Sequence, residues 1–210
     1  MLRSFADVIE TQEELNEIWG EPSRLVSNKA IDHLDPHCIN FLAMTPFILL
    51  GTSNAEGECD VSPRGDHPGF ILVLNEKQLV IPERPGNKRL DSIRNILDNP
   101  KAGLICMIPG MDESLRMTGK ASVMKDQDIL ERMRVNGKLP FAGIVLEVEE
   151  CFIHCGKAIK RSKLWQTDSW PASVRLPKAH EILAAHANCE GLDADRVEKA
   201  LDESYRLRMY

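Results

Sequence analysis

The stretch LVIPERPGNKRLDSIRNILDNPKAGLICMIPG, residues 79–110, decides the fold. Its sequence pattern changes twice, from that of a strand to that of a helix and back to that of a strand. Residues 79–81 form a short apolar strand that runs into the Pro-Gly pair at residues 85–86, which marks a turn. A helix is predicted directly after the turn, with Asn87 as its N-cap. Its predicted buried stripe comprises Leu90, Ile93, Ile96 and Leu97. Residues 101–108 are typical of a buried strand.

The predicted helix start carries cations, where the helix dipole is already positive. Lys88 and Arg89 lie in the predicted first turn. Unpaired backbone N–H groups and the dipole favour an anion at a helix start, and they disfavour a cation. We therefore interpret this turn as a phosphate site. An alternative is equally open: the helix start is solvated and its cations pair with Glu83 and Asp91.

Two common nucleotide-binding motifs are missing from the sequence. Residues 86–89, Gly-Asn-Lys-Arg, lack the Gly-Lys-Ser/Thr end of a P-loop. No Gly-x-Gly-x-x-Gly run occurs, so a Rossmann dinucleotide site has no support.

The composition describes an ordinary globular chain with a small acidic excess. Of its 210 residues, 43% are apolar and 28% are charged, and the net charge is −6. An acidic chain lacks the basic face that nucleic acid requires. Two compact basic clusters nevertheless occur in the sequence, and they fit a small anionic ligand better than a long polyanion. One contains Arg84, Lys88, Arg89 and Arg94, and the other Lys157, Lys160, Arg161 and Lys163.

The apolar runs and the cysteines predict a cytoplasmic protein without a membrane segment or a metal. The first ten residues have no apolar core of secretory length, and the longest apolar run, residues 39–50, is too short to span a bilayer. The six cysteines are scattered without a Cys-x-x-Cys pair, so we expect reduced thiols. Cys151, His154 and Cys155 superficially resemble metal ligands, but no second ligand pair completes a tetrahedral site.

The order of the remaining elements predicts a mainly β (α+β) protein, an antiparallel barrel with peripheral helices and a helical tail. Strands are expected at 47–53, 58–62, 70–74, 78–82, 101–108, 114–123 and 141–149. Helices are expected at 12–19, opened by the capping box Thr11-Gln12-Glu13-Glu14, at 23–29, from Pro36 onward with Asp35 as the cap, at 126–134, and in two pieces from about residue 178. We predict one domain, with a helical lead-in at 1–34, the barrel core at 35–165 and the helical tail at 166–210.

Three stretches together carry a resemblance to a known family: GTSNAEGECDVSPRGD (51–66), residues 79–110 quoted above, and LRMTGKASV (115–123). The chain resembles the FMN-binding split-barrel flavoproteins related to pyridoxamine 5'-phosphate oxidase over residues 35–165. The resemblance implies an antiparallel split β-barrel. It also implies a homodimer with two flavins at the subunit interface.

The resemblance further implies the residues that hold the flavin. The phosphate would lie against Ser62, Pro63, Arg64 and Gly65 on one side, and against Asn87, Lys88, Arg89 and Ser92 on the other. Arg89 and Ser92 compete for one phosphate position, because the helix looks one turn longer than is usual in the family. Ile81 and Pro82 would lie along the isoalloxazine.

Four more residues are candidates with an alternative each. Arg116 would stabilise the reduced flavin near its N1/C2 carbonyl, or it is a surface arginine paired with Glu113 or Glu147. Lys157, Arg161 and Trp165 would close the flavin pocket of the partner subunit, or they belong to a solvated helix face.

The resemblance implies an FMN-dependent oxidoreductase of unknown substrate that transfers hydride or electrons through flavin N5. NADH or NADPH is a plausible donor and a small molecule the acceptor. Residues 166–210 lack the arginine-histidine pair of the oxidase proper, which argues against pyridoxamine phosphate oxidation. No catalytic side chain is identified. The alternative is a non-catalytic protein of the same fold that binds flavin, a deazaflavin or haem, with His67 or His154 as the haem ligand. A protein with an empty barrel is a third possibility.

Overall fold

A computed structural model describes residues 5–210, so the first four residues of the predicted lead-in lie outside the described residues. Residues up to Ala30 form one compact unit, and residues 31–210 form a second. The division into a single domain with boundaries near residues 34 and 165 stays a prediction.

The first unit contains α1 (Gln12–Trp19) and α2 (Arg24–Asn28). The capping box predicted at the start of α1 is confirmed: the Thr11 hydroxyl accepts the Glu14 backbone N–H, and the Glu14 carboxylate accepts the Thr11 N–H. Gly20 ends the helix with a positive φ of 70°. Two orphan N–H donors are thus satisfied by residues close in sequence.

The second unit is built on one sheet of seven strands, all paired antiparallel. The strands are β1 (Phe47–Ser53), β2 (Cys59–Gly65), β3 (Leu72–Asn75), β4 (Gln78–Glu83), β5 (Lys101–Met107), β6 (Ser114–Met124) and β7 (Ala142–His154). Their spatial order is β2-β1-β5-β6-β7-β4-β3, which leaves β2 and β3 as edges. This open antiparallel sheet with helices around it confirms the predicted α+β split barrel.

The second unit contains six α-helices besides the sheet. They are α3 (Pro36–Met44), α4 (Asp91–Asp98), α5 (Gln127–Arg132), α6 (Lys157–Ser162), α7 (Ala179–Ala187) and α8 (Ala194–Leu207). One of them, α4, packs on β1, β2 and β6. Asp35 caps α3 by accepting the Cys38 N–H at 2.8 Å, with Pro36 in the first turn, as predicted. The tail is divided between α7 and α8, which pack on each other, on either side of Gly191.

The main core lies on one face of the sheet, where alternate residues of the central strands are buried, and a smaller cluster around Val80, Leu130 and Met133 forms a second core. Examples on three neighbouring strands are Ile48 and Leu50, Leu104 and Cys106, and Leu115 and Met117. The period-2 alternation of β6 in the sequence predicted this face correctly. β7 runs to His154, five residues past its predicted end, because β6 pairs with it along its whole length.

A β-bulge between Thr118 and Gly119 allows β6 and β7 to stay paired around the barrel. A Cβ atom at Gly119 would overlap the carbonyl oxygen of Glu147 and lie 2.9 Å from its carbonyl carbon. Only glycine therefore fits this point of the Arg-x-x-Gly-Lys-Ala run, and the reason is the close approach of two backbones.

The predicted start of α4 is wrong by three residues. The helix begins at Asp91 and not at Lys88, because Lys88 and Leu90 both have left-handed backbone conformations, with φ of 64° and 59°. Asn87 does not cap the helix. Its side chain accepts the Arg89 N–H at 3.0 Å and so stabilises the loop before it.

The predicted buried stripe of α4 is also partly wrong. Ile96 is buried, but Leu97 and Leu90 are 74% and 46% exposed. The helix is rotated because polar side chains on its inner face form hydrogen bonds to the first two strands. These bonds join Ser92 to Asp60, Asn95 to Thr52, and Asn99 to Ser53.

Ion pairs join β2 and β4, two strands that the sheet does not pair. β2 is an edge strand, and β4 is second from the opposite edge. Arg64 on β2 pairs with Glu83 on β4, and Asp66, just after β2, pairs with Arg84, just after β4. We call the region between these two strand ends the seam.

Candidate functional site

A cleft of about 790 Å³ opens at the seam, a size typical of small-molecule sites. Its walls are β2, the loop between β4 and α4, the first residues of α4, and the end of the chain. The predicted residues Ser62, Pro63, Arg64, Gly65, Pro82, Asn87, Lys88, Arg89 and Ser92 all line it. The fold therefore brings together nine residues that are far apart in sequence.

Arg64 is a mostly buried cation of this cleft. Its side chain is 15% exposed and forms an ion pair with Glu83 through Nη1. Its Nε atom is buried and has no hydrogen-bond partner. A buried guanidinium N–H without an acceptor costs about 1–3 kcal/mol. An anion bound in the cleft would satisfy it, so the residues present fit a phosphate-bearing ligand.

The loop before α4 supplies the second group of cations. Residues 86–90 are exposed, and Lys88 and Leu90 hold positive φ values, which cost of order 1–3 kcal/mol each for residues other than glycine. Within the described residues, Lys88 has no ion-pair partner. Arg89 is 73% exposed and pairs with Asp91 at 2.7 Å. Arg89 is thus a solvent-exposed cation paired with Asp91, as in the alternative interpretation of the sequence. Lys88 is available to an anion.

Ser92 is buried at the start of α4, and its hydroxyl donates to Asp60 at 2.9 Å. Asp60 lines the cleft as well. A phosphate oxygen could accept from Ser92 only if this hydroxyl turned away from the carboxylate. Ser92 is thus the less available of the two residues predicted to compete for one phosphate position.

Part of the cleft wall is apolar. Phe70, Val123, Phe141 and Met209 line it together with Pro82 at the end of β4. Ile81 does not line it, because its side chain is fully buried in the core. The cleft therefore combines an apolar wall with charged side chains of both signs, since Asp60, Glu83 and Asp91 line it beside the cations.

Two residues that sequence reasoning missed, Asp66 and Tyr210, hold the seam at the edge of the cleft together with Arg84. Asp66, whose side chain is 1% exposed, accepts hydrogen bonds from Arg84 Nε at 2.9 Å and from the Tyr210 hydroxyl at 2.8 Å. Arg84 Nη2 also donates to the Met133 carbonyl at 2.9 Å. Asp66 and Tyr210 are 144 residues apart, and no local pattern links them.

The other predicted site residues lie outside this cleft. The Arg116 guanidinium lies 5.2 Å from the centre of the Phe152 ring. Among the ion pairs of residues 5–210, none joins Arg116 to Glu113 or Glu147. Lys157 and Arg161 are exposed on α6. Trp165 Nε1 donates to the Met111 carbonyl at 2.8 Å. Their predicted role at the flavin of a partner subunit stays a prediction.

Within residues 5–210, no helix is both long and apolar enough to cross a membrane. The same part of the chain contains no group of three or more His, Cys, Asp or Glu residues arranged to hold a metal ion.

The sheet, the seam cleft and the cation-bearing loop together define a split-barrel protein with a cleft lined in part by cations. The family model described as pyridoxamine 5'-phosphate oxidase matches residues 34–155, more than half of the chain, and the chain belongs to this family. A comparison with curated proteins finds no match.

Several solved structures are similar to part of the chain. HupZ of Group A Streptococcus is 16% identical, with 57% of this chain and 92% of that chain covered and a TM-score of 0.46. An FMN-binding protein from Syntrophomonas wolfei is 12% identical, with 56% and 81% covered and a TM-score of 0.43. HutZ, the heme storage protein from Vibrio cholerae, is 16% identical, with 58% and 93% covered and a TM-score of 0.38.

Proposed function

We propose that this protein binds FMN in the seam cleft and transfers hydride or electrons between a reduced donor, such as NADH or NADPH, and a small organic acceptor. The observation that carries the proposal is Arg64, whose buried Nε lacks an acceptor in a cleft that also contains the unpaired Lys88. Membership of the pyridoxamine 5'-phosphate oxidase family supports the proposal.

The phosphate of FMN would lie between β2 and the loop before α4. Arg64 and Lys88 would supply charge, Arg89 would join them after leaving Asp91, and the Ser62 hydroxyl and the backbone of Gly65 border the same space. Charge-assisted bonds to phosphate are the strong kind of hydrogen bond.

The isoalloxazine would lie along Pro82, with Phe70, Val123 and Phe141 as apolar neighbours that exclude water. When bound, FMN supplies hydride and electron transfer through N5. The protein has to orient the ring and hold charge near N1, for which Arg116 of a second subunit is the proposed residue. No general acid or base is required of the chain for hydride transfer.

We further propose a homodimer formed by the outer face of β2, β1 and β5. Val61, Phe47 and Ile105 on this face are 65%, 39% and 36% exposed. They share one side of the sheet, because Gly51 pairs with Val61 and Leu49 pairs with Ile105. Val61 also lines the cleft, so this face is continuous with the site. Ile105→Glu should yield monomers in sedimentation experiments, whereas Leu97→Glu on the exposed side of α4 should not.

A haem or deazaflavin protein of the same fold is the second candidate. The predicted haem ligands His67 and His154 do not line the cleft, and no histidine or cysteine lines it within the described residues. Haem would have to use Met209 or Tyr210, and the Tyr210 hydroxyl already donates to Asp66. FMN fits the cleft better than haem does.

The test is to supply purified protein, stripped of small molecules, separately with FMN, riboflavin, a deazaflavin and haemin. We expect FMN to bind most tightly, and bound FMN to be bleached anaerobically by NADH or NADPH. Bound flavin that no donor reduces would support a non-catalytic carrier. Protein that binds haemin and not FMN would contradict the proposal.

A further inference from the structure

The last two residues of the chain form part of the wall of the seam cleft. Met209 and Tyr210 follow α8, the helix at the end of the tail, and both line the cleft. Tyr210 is held at three points. Its hydroxyl donates to Asp66 at 2.8 Å, its ring lies 5.7 Å from the Arg84 guanidinium, and its backbone oxygen accepts from Lys138 Nζ at 2.6 Å.

These contacts connect the tail to both sides of the phosphate-binding region. Asp66 comes directly after the β2 residues Ser62–Gly65, and Arg84 begins the loop that carries Lys88 and Arg89. One carboxylate therefore joins β2, the cation loop and the end of the chain. Two hydrogen bonds to the Asp66 carboxylate therefore link Tyr210 to Arg84, the residue that begins the loop.

The electrostatics of this cluster favour the docked tail near neutral pH. Burial opposes ionisation of Asp66. Hydrogen bonds from the His67 N–H and from Tyr210, together with the charge of Arg84, outweigh burial and lower the Asp66 pKa. The hydrogen bond to Asp66, with burial second, raises the pKa of Tyr210. An ionised carboxylate and a neutral phenol form a charge-assisted hydrogen bond.

We propose that Tyr210 is a positioning residue of the cofactor cleft, and that its hydrogen bond to Asp66 keeps the tail closed over a bound phosphate-bearing flavin. The proposal rests on the proposed FMN site. Release of the ligand then requires the tail to undock, so the strength of this bond sets the release rate.

The chain offers a matched control, because it has two tyrosines and only one of them, Tyr210, lines the cleft. Tyr205 is 62% exposed on α8 and does not line the cleft. Tyr210→Phe removes the hydroxyl and keeps the ring, and Tyr205→Phe makes the same chemical change outside the site.

The experiment measures FMN association and release by flavin fluorescence for the full chain and both variants. Tyr210→Phe should release FMN about tenfold faster, equivalent to about 1.4 kcal/mol, and association should not become slower, because the ligand-free chain already has this hydrogen bond. A purely structural role would lower the melting temperature without FMN and leave the FMN release rate unchanged. Tyr205→Phe should match the parent chain.

Two results would overturn the proposal, and they are distinguishable. If the parent chain binds FMN and Tyr210→Phe releases it at the parental rate, the tail does not control release and the FMN site stands. If the parent chain itself binds no FMN, the proposed function fails and this inference fails with it.

Discussion

Arg64 on β2 and Glu83 at the end of β4 form an ion pair that joins two strands that the sheet's hydrogen bonds do not join. Both side chains are mostly buried, at 15% and 13% exposure. Glu83 offsets the positive charge of Arg64 through Nη1. The Nε atom of Arg64 has no acceptor among the described residues. Arg64 is therefore a fixed, partly satisfied cation at the edge of the cleft, a state suited to binding an anion without reorganisation.

Removing the Arg64 cation should weaken the binding of FMN. It should leave the binding of riboflavin, which lacks the phosphate, unaffected. Arg64→Gln should reduce FMN affinity by about 1.5–3 kcal/mol, the range for a hydrogen bond to a charged group. Glu83→Gln is the matched control, because it removes the other half of the ion pair and should not weaken FMN. Titration calorimetry with both ligands measures the difference. Equal losses for FMN and riboflavin would mean that Arg64 supports the fold and not the phosphate.

Arg89 should contribute to phosphate binding although it pairs with Asp91 in the structure. Arg89→Ala should weaken FMN by about 1.5–3 kcal/mol if it forms a charge-assisted bond. Asp91→Asn frees Arg89 and should not weaken binding. Unchanged affinity in Arg89→Ala would transfer the role to Arg64 or Lys88, and Lys88→Ala measured beside it would separate those two.

Gly119 should be intolerant of a side chain. A Cβ there overlaps the Glu147 carbonyl, so Gly119→Ala has to separate β6 from β7 or move the bulge. We expect a loss of at least about 1–3 kcal/mol in the free energy of unfolding, as for overpacked cores. Gly86→Ala is the control, since a Cβ at Gly86 meets nothing within 4 Å. Urea denaturation of the two variants checks this, and equal midpoints would contradict the bulge geometry.

The six thiols should fall into two groups of three. Cys59, Cys155 and Cys189 are exposed, whereas Cys38, Cys106 and Cys151 are buried. Burial raises the pKa of Cys106 to about 12, and it also raises the pKa values of Cys38 and Cys151. Because the thiolate is the reactive form, a disulfide reagent should titrate three thiols in native protein and six in denaturant. Cys59→Ser should lower the native count by one, and Cys151→Ser should not lower it.

Docking of Tyr210 should have an alkaline limit. The undocked phenol has its ordinary pKa of about 10, and the docked phenol has a higher pKa because its hydroxyl donates a hydrogen bond to the Asp66 carboxylate. The Tyr210 contribution to docking is thus fully present below about pH 10 and is lost as the pH rises through the docked pKa. The lowered pKa of Asp66 acts in the opposite sense: its contribution is present above its ordinary value of 3.8 and is lost as the pH falls through the lowered pKa.

Absorbance of tyrosinate in the Tyr205→Phe variant reads Tyr210 alone, since the chain has only two tyrosines. The midpoint should lie above pH 10, and Asp66→Asn should bring it back toward the ordinary value. A midpoint at or below pH 10 in the presence of Asp66 would contradict the docked arrangement.

The strands could be predicted from the sequence because their signal is local. The sequence of β6 alternates between apolar and polar residues, and the turn residues 54–57 separate β1 from β2, so the predicted bounds agree with the structure within a few residues. The capping residues Thr11 and Asp35 were predicted for the same reason.

The start of α4 could not be predicted, because nothing in Lys88 or Leu90 as residue types announces a left-handed backbone. Its buried face was misjudged because Ser92, Asn95 and Asn99 are polar, and their partners on β1 and β2 are distant in sequence. Asp66 and Tyr210 were missed since only tertiary structure brings them together.

The most direct measurement of the central claim is a crystal structure of the full chain grown with FMN. The account predicts that the phosphate lies at the seam, within hydrogen-bond distance of Arg64 and the loop at residues 86–89, with the ring along Pro82. Flavin bound elsewhere on the chain, or a seam cleft that stays free of flavin in crystals grown at saturating FMN, would contradict it.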